Sequence, residues 1–172
     1  LAATAVALSA ALIVDQGIVP LARQPVERDA FYDRVWGIDP AALALPEHER
    51  ILLVTGFGFA RVDYTASYPL LGRHQKRVVI RLDADDIHGS TDAILRRMRG
   101  DRIRWAYVTA IPRYHRTVGR LFAAPQFTLV HGSTIVQGAR LGTRRTVFRR
   151  ATAGEEARGI RRYLFRLNSR RS

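Results

Sequence analysis

Acidic side chains follow one of the apolar runs of this sequence, at a spacing that could serve a ligand site. Asp83, Asp85 and Asp86 come directly after residues 77–82 (RVVIRL). Carboxylates at the carboxyl end of a strand can hold a divalent metal ion or a ribose. They can equally cap the next helix or face solvent. The sequence favours capping or solvation and leaves the ligand role as the alternative.

A glycine pair follows another apolar run. Gly56 and Gly58 come directly after residues 51–55 (ILLVT), as the first glycines of a dinucleotide-binding loop would. The third glycine of that motif is absent, because Arg61 stands where it is expected. The motif needs all its glycines for the turn and for close approach of the helix. A tight turn after a strand is therefore favoured over a nucleotide site.

Other catalytic and metal-binding patterns are missing from the sequence. The chain has no cysteine, which excludes disulfides, thiolate zinc sites and cysteine nucleophiles. The five histidines, at positions 48, 74, 88, 115 and 131, show no HExxH or other ligand spacing. No serine lies in a GxSxG turn. The sequence therefore predicts no catalytic residue, no metal site and no cofactor in this chain.

Arginine is the residue type that most favours a binding function. The net charge is +13, with −3 over residues 1–50 and +16 over residues 51–172. Every basic residue except Lys76 is Arg. Such a positive field attracts anionic lipid head groups, phosphate-bearing substrates or nucleic acid. An Arg-rich surface that only faces solvent also results from a GC-rich genome.

The arginines form three groups along the chain. These are Arg96, Arg97, Arg99, Arg102 and Arg104, then Arg113, Arg116 and Arg120, then Arg144, Arg145, Arg149 and Arg150. Trp105, Tyr107 and Tyr114 lie among them, as aromatic residues do in nucleic-acid binders. We expect a solvated or phosphate-facing surface, with nucleic acid as the less favoured partner. The candidate substrate- or lipid-phosphate-binding residues are Tyr68, Arg73, His74, Arg96, Arg97 and Arg99.

The elements that position these residues are predicted from the alternation of apolar runs and helical patterns. Strands are predicted at residues 51–55, 77–82, 103–109 and 127–130, and helices at residues 90–99 and from Pro112 to about residue 123. This alternation predicts an α/β fold with a Rossmann-like, mainly parallel sheet and helices on both faces. Residues 133–136, 144–150 and 163–167 are candidate strands of an antiparallel extension, or in the last case a basic tail.

The first 14 residues, LAATAVALSAALIV, carry no charge. A membrane span needs about 20 apolar residues. The segment is therefore the end of a transmembrane helix, the apolar core of a signal peptide or a buried helix of a soluble domain, in order of preference. The predicted organisation is the end of a transmembrane helix at residues 1–19, a Pro-rich membrane-proximal connector at residues 20–50 and a basic α/β domain at residues 51–172. Phe31, Val35 and Trp36 share a face of a short helix in the connector, which packs on the domain or anchors at the membrane interface.

The order of these features resembles the C-terminal extracytoplasmic domain of polytopic membrane glycosyltransferases, the enzymes that use polyprenyl-phosphate sugars. The resemblance covers most of residues 1–150. It rests on residues 49–56 (ERILLVTG), on Tyr68, Pro69, Leu70 and Gly72, and on the runs RVVIRL and IRWAYVT. It implies a bacterial, multi-pass parent protein of the cell membrane, with this domain in the cell envelope on the extracytoplasmic side.

The resemblance also implies what the parent protein does. It implies glycosyl transfer from a lipid-linked sugar donor, with the catalytic carboxylates in loops between membrane helices outside this chain. This part alone is then expected to be inactive. The implied partners are the membrane, anionic lipid and a polyprenyl-phosphate-linked sugar. The alternative is a membrane-anchored or secreted binding module for anionic lipid, sugar or nucleic acid.

Overall fold

A six-stranded sheet forms the centre of the protein. The computed structural model describes residues 31–58, 63, 66–72, 74–141 and 145–168. The strands lie side by side in the order β2-β1-β3-β6-β4-β5. They are β1 (Arg50–Thr55), β2 (Val78–Asp83), β3 (Trp105–Ala110), β4 (Phe127–Leu141), β5 (Arg145–Arg150) and β6 (Ile160–Leu167).

Short helices precede β1 and connect the first four strands. They are a π-helical turn (Tyr32–Trp36), α1 (Pro40–Leu43), α2 (Ser67–Leu70), α3 (Ala84–Ile87), α4 (Thr91–Gly100), a 3-10 turn (Pro112–Tyr114) and α5 (His115–Leu121). The helix predicted at residues 90–99 is confirmed as α4. It begins at Ser90, whose Oγ accepts a hydrogen bond from the Ala93 N–H at 3.4 Å. Its apolar residues Ile94, Leu95 and Met98 lie on one face and are buried.

β1 is the centre of a parallel group of three strands. It pairs in parallel with β2 on one side and with β3 on the other. The predicted strands 51–55, 77–82 and 103–109 are therefore adjacent. β1 and β3 are buried after their first residues, whereas β2 is only partly buried. A continuous apolar run is typical of a strand buried on both faces, and this is wrong for β2 because it lies at the edge of the described sheet.

The predicted fold class, a Rossmann-like and mainly parallel sheet with helices on both faces, is wrong. Three of the five strand pairings, β3–β6, β6–β4 and β4–β5, are antiparallel. The run FTLV, expected as a fourth strand of a parallel sheet, begins the 15-residue β4, which pairs antiparallel on both sides. The reason is that β6 lies between β3 and β4. An apolar run predicts a strand but does not give its direction or neighbours.

Two apolar layers cover the two faces of the sheet. The first, which we call the helical layer, packs α4 and α5 on side chains such as Leu52 and Phe165. The rings of Phe122 and Phe165 stack in it with centroids 4.2 Å apart. The second, which we call the N-terminal layer, packs the π-helical turn, α1 and α2 on alternate side chains of the same strands, including Ile51 and Leu164. The alternation along each strand places successive side chains in opposite layers.

The segment before β1 belongs to the N-terminal layer. Its residues Tyr32, Ile38, Ala42, Leu43 and Leu45 are buried. The rings of Tyr32 and Trp36 stack at 5.1 Å, and Phe31 contacts both edge-on. Packing therefore begins well before residue 51, and these aromatic residues pack on the domain.

The apolar segment 1–14 lies outside the described residues, as do the other residues before 31. In the part of the chain that the structure describes, no helix has both the length and the apolar character needed to cross a membrane.

Candidate functional site

The turn after β1 is closed by the carboxylate of Asp63. Its Oδ2 accepts hydrogen bonds from the backbone N–H groups of Gly56 at 3.0 Å and Gly58 at 3.3 Å. Its Oδ1 accepts from Thr109 Oγ1 at 2.5 Å. Burial raises the pKa of Asp63 above its usual value, although these hydrogen bonds lower it in part. The backbone donors that a bound phosphate would use are therefore occupied by the chain's own carboxylate.

Close packing explains both glycines of this turn. A Cβ at Gly58 would overlap Thr109 Oγ1 and Asp63 Oδ1. Gly56 has a φ of +92°, and a Cβ there would lie 2.7 Å from Ala84 Cβ. A residue other than glycine fits neither position. A tight turn thus accounts for the glycine pair without a nucleotide.

The acidic cluster after β2 serves as a helix cap. Asp83 Oδ1 accepts from the Asp85 N–H at 3.2 Å at the start of α3, and its Oδ2 accepts from Thr55 Oγ1 at 2.9 Å. Asp85 and Asp86 are exposed. Within the described ranges, no three Asp, Glu or His side chains lie close enough together to hold a metal ion. The capping alternative of the sequence analysis is the geometry observed.

Exposed arginines lie on the outer sides of α4, of the turn after it, of the 3-10 turn and of α5, and we call this set the arginine face. The Thr91 hydroxyl at the start of α4 donates to the Leu121 carbonyl of α5 at 2.9 Å, so the two helices are tied together. Arg97 is paired with Asp101, with Nε 2.7 Å from Oδ2. Its other arginines form no ion pair with a described acidic residue. The face comprises Arg96, Arg97, Arg99, Arg102, Arg113, Arg116 and Arg120, all exposed.

The arginines of the third group in the sequence have different surroundings. Arg149 makes two hydrogen bonds to the Glu155 carboxylate, at 2.7 Å and 2.6 Å, and this pairing lowers the pKa of Glu155 to about 2. Arg150, the next residue, is exposed and lines a cavity described below. Arg144 lies outside the described residues.

The candidate binding residues of the sequence analysis do not form one site. Arg96, Arg97 and Arg99 lie on the arginine face. Tyr68 is 74% exposed on α2, which packs in the opposite layer. His74 is exposed, with Nε2 3.6 Å from a carboxylate oxygen of Glu47. Arg73 lies outside the described residues.

Sequence reasoning missed a buried charged network in the N-terminal layer. Its centre is Arg162 on β6, which is 3% exposed. Arg162 Nε donates to Ser133 Oγ at 2.9 Å and lies 3.4 Å from Asp39 Oδ2, and its Nη1 is paired with Asp33. Asp39, 2% exposed, also accepts from the Ser133 hydroxyl and lies 3.4 Å from His131 Nε2. We call these five residues the Arg162 network.

The alternation of buried residues along β6 is the sequence pattern that could have predicted this network. Arg162 lies two residues from both Ile160 and Leu164, which are buried in the N-terminal layer. The strand period of two places Arg162 on the same face, where a charged side chain needs partners. The Ser133 hydroxyl donates to Asp39 and not to His131, so these residues do not form the nucleophile–base pair of a hydrolase.

No protein-family model, curated protein or solved structure matches this chain.

Proposed function

We propose that this chain is a non-catalytic domain of an integral membrane glycosyltransferase that uses lipid-linked sugar donors. We further propose that its arginine face lies against anionic lipid phosphate at the membrane surface. The resemblance in residues 49–56 and in the stretch from Tyr68 to Gly72 supports the first part. The observation that carries the second is the set of exposed arginines on α4 and α5 without an ion pair among the described residues.

Charge density favours a surface of phosphates as the partner of this face. From Arg96 to Arg120 the chain holds eight arginines and one acidic residue, Asp101. A basic side chain close to an anionic bilayer contributes about 1 kcal/mol to binding, and the attraction decays over about 10 Å at 0.1 M salt. Both helices pack on the same face of the sheet, so their arginines lie on one side of the protein.

The aromatic residues between the arginines give little support to a nucleic-acid partner. Tyr107 is fully buried, and Trp105 packs in the N-terminal layer on the other side of the sheet. Tyr114 is partly buried in the helical layer, where its ring meets Phe57 edge-on and Arg113 lies over it at 4.6 Å. Proteins that bind single strands stack bases on exposed aromatic rings, and none of these three rings is fully exposed.

Liposome binding by the 172-residue chain tests the proposal. Arg96, Arg99 and Arg116 would be changed together to Ala, and the control variant would change the exposed Arg34, Arg158 and Arg166 to Ala. Both variants lose the same charge. We expect the first to bind phosphatidylglycerol liposomes about 100-fold more weakly at low salt, from about 1 kcal/mol per arginine, and the control to change far less.

Two further measurements identify the partner. Binding to neutral phosphatidylcholine liposomes reports any contribution that is independent of lipid charge, and it should be equal in both variants. A stoichiometric amount of duplex DNA should leave binding to anionic liposomes intact. Equal weakening by the two variants, or complete displacement by DNA, would contradict the proposal.

A further inference from the structure

A cavity of about 250 Å³ lies beside the Arg162 network, on the opposite side of the sheet from the arginine face. The network supplies part of its wall, and Pro40 and Ala41 at the start of α1 supply an apolar part. Arg150 of β5 lies at its rim. The cavity is lined by Asp33, Asp39, Pro40, Ala41, His131, Ser133, Arg150 and Arg162.

The network leaves specific polar groups without a partner. Both oxygens of the Asp39 carboxylate have partners within the chain, since Oδ1 accepts from the Ala41 N–H at 2.8 Å and Oδ2 accepts from the Ser133 hydroxyl. Within the described part of the chain, the Asp33 side chain is paired through Oδ1 with Arg162. Among the described residues, none donates to Asp33 Oδ2 and none accepts from Arg162 Nη2 or from the Arg150 guanidinium. One carboxylate oxygen of Asp33, the Nη2 group of Arg162 and the guanidinium of Arg150 therefore remain as hydrogen-bonding groups on the residues that line the cavity.

From these groups we propose that the cavity binds adjacent hydroxyl groups of a neutral sugar ring. Each hydroxyl both donates and accepts, so a pair of them can use Asp33 Oδ2 together with the guanidinium donors. Hydrogen bonds to charged groups are stronger than neutral ones and have directional geometry. Apart from His131, the two carboxylates and two guanidiniums of the lining give a net charge of zero. A phosphate dianion would be repelled by both carboxylates, which disfavours it.

Cavity size and position limit the ligand further. Pockets for drug-sized ligands have about 300–1,000 Å³, so 250 Å³ suits one sugar ring and not an oligosaccharide. The sheet separates this cavity from the arginine face. The inference therefore does not rest on the proposed membrane contact, and the two can fail separately.

Calorimetric titration of the 172-residue chain with single aldoses tests this inference. The protein would be kept in a detergent without a sugar head group, and the probes would be glucose, mannose, galactose and arabinose, with inorganic phosphate as the anionic probe. We expect at least one aldose to bind with a Kd in roughly the millimolar range, at about −4 kcal/mol, and phosphate to bind more weakly.

Two variants place the binding in the cavity. Arg150→Met removes an exposed donor without touching the buried ion pairs, and Asp33→Asn keeps the side-chain size while removing the carboxylate. Each should weaken aldose binding about tenfold, the loss of one charge-assisted hydrogen bond. The matched control is Arg166→Met, an exposed arginine of β6 that lines neither described cavity, and it should bind as the parent does.

Three outcomes of these titrations would contradict the inference. If no aldose binds, the cavity is not a sugar site. If phosphate binds more tightly than every aldose and Arg150→Met abolishes that binding, the cavity is an anion site. If aldose binding is unchanged in Arg150→Met and Asp33→Asn, the sugar binds elsewhere.

Discussion

Gly58 has a role set by its neighbours and not by a ligand. Asp63 and Thr109 occupy the space where a side chain at Gly58 would lie, and both bond to each other there. The sequence predicted a tight turn at this position but not its cause. No pattern in the sequence places the Asp63 carboxylate, because hydrogen bonds between distant residues leave no local periodicity.

Replacing Gly58 by Ala should destabilise the fold by about 1–3 kcal/mol, because the added methyl group overpacks a buried site. Gly119→Ala is the matched control. Gly119 lies in α5 with no atom within 4 Å of an added Cβ, so Ala should stabilise the protein by about 0.5–1 kcal/mol. Urea unfolding of both variants measures the difference. Equal stabilities would mean that the Asp63 turn adjusts without cost.

His115 makes stability depend on pH. Burial and the nearby charge of Arg161 lower the pKa of His115 below its usual 6.5, against the opposing effect of hydrogen bonds to the Ala110 and Gly159 carbonyls. Below pH 6.5 the unfolded chain therefore binds a proton here more readily than the folded chain. The free energy of unfolding should fall as the pH is lowered through 6.5, and this loss is complete once the pH is below the pKa of the folded state.

Unfolding in urea between about pH 8 and pH 5 measures this effect. His115→Gln keeps a donor for the Ala110 carbonyl but cannot titrate, so its stability should vary less over that range. His88→Asn, at an exposed position with a positive φ that Asn tolerates, is the control and should follow the parent. A variant of His115 that keeps the parent's full pH dependence would exclude this histidine as the source.

At the scale of helices and strands, the sequence predicted the elements that have a clear local pattern. α4 has a serine cap and a helical apolar stripe, and β1 is a continuous apolar run, so both lie where they were expected. β6 carries three arginines in eight residues and resembles a basic tail, yet it is the strand that joins the parallel and antiparallel parts of the sheet. Its place is set by pairings with β3 and β4, which no local pattern encodes.

Arg77 connects the start of β2 to the end of α1, a contact that no periodic pattern in the sequence predicts. It is buried just before β2, and its Nη2 donates to the Leu43 carbonyl at 2.8 Å while its Nε donates to the Pro46 carbonyl at 3.1 Å. The carbonyls at the end of a helix need such donors. Here they belong to α1 and the residues after it, so Arg77 fixes the N-terminal layer to the edge of the sheet.

Amide hydrogen exchange should distinguish the strands by their position in the sheet. β1 has partners on both sides, so its amides from Ile51 to Val54 should exchange with nearly the free energy of global unfolding. Among the described strands β2 pairs with β1 alone, so about half of its amides should exchange much faster, since strand amides alternate in direction. Equal protection of β1 and β2 would indicate that another segment covers the β2 edge.

At the scale of the whole molecule, the sheet divides the surface into two sides with different chemistry. The arginine face lies over the helical layer, and the cavity lies in the N-terminal layer. The chain has no cysteine, so a single introduced cysteine can report from either side.

An environment-sensitive fluorophore on Ala123→Cys, just after α5, should shift to shorter wavelength when anionic liposomes are added. Ala123 and Ala44 are both exposed, and Ala44 follows α1 on the other side of the sheet. The same label on Ala44→Cys should not respond, because a membrane on the arginine face leaves that side in water. A response of the label at Ala44 alone would indicate that the opposite side of the sheet faces the membrane.

The Asp63 carboxylate acts as an internal ligand of the turn after β1. A carboxylate tethered to the same chain competes with any free anion at an effective concentration in the millimolar range or above. The donors of Gly56 and Gly58 are therefore held by an internal ligand whatever the solution contains. Shortening that one side chain, as in Asp63→Gly, would release both N–H groups. A single substitution at Asp63 would therefore make these two N–H donors available to a bound anion.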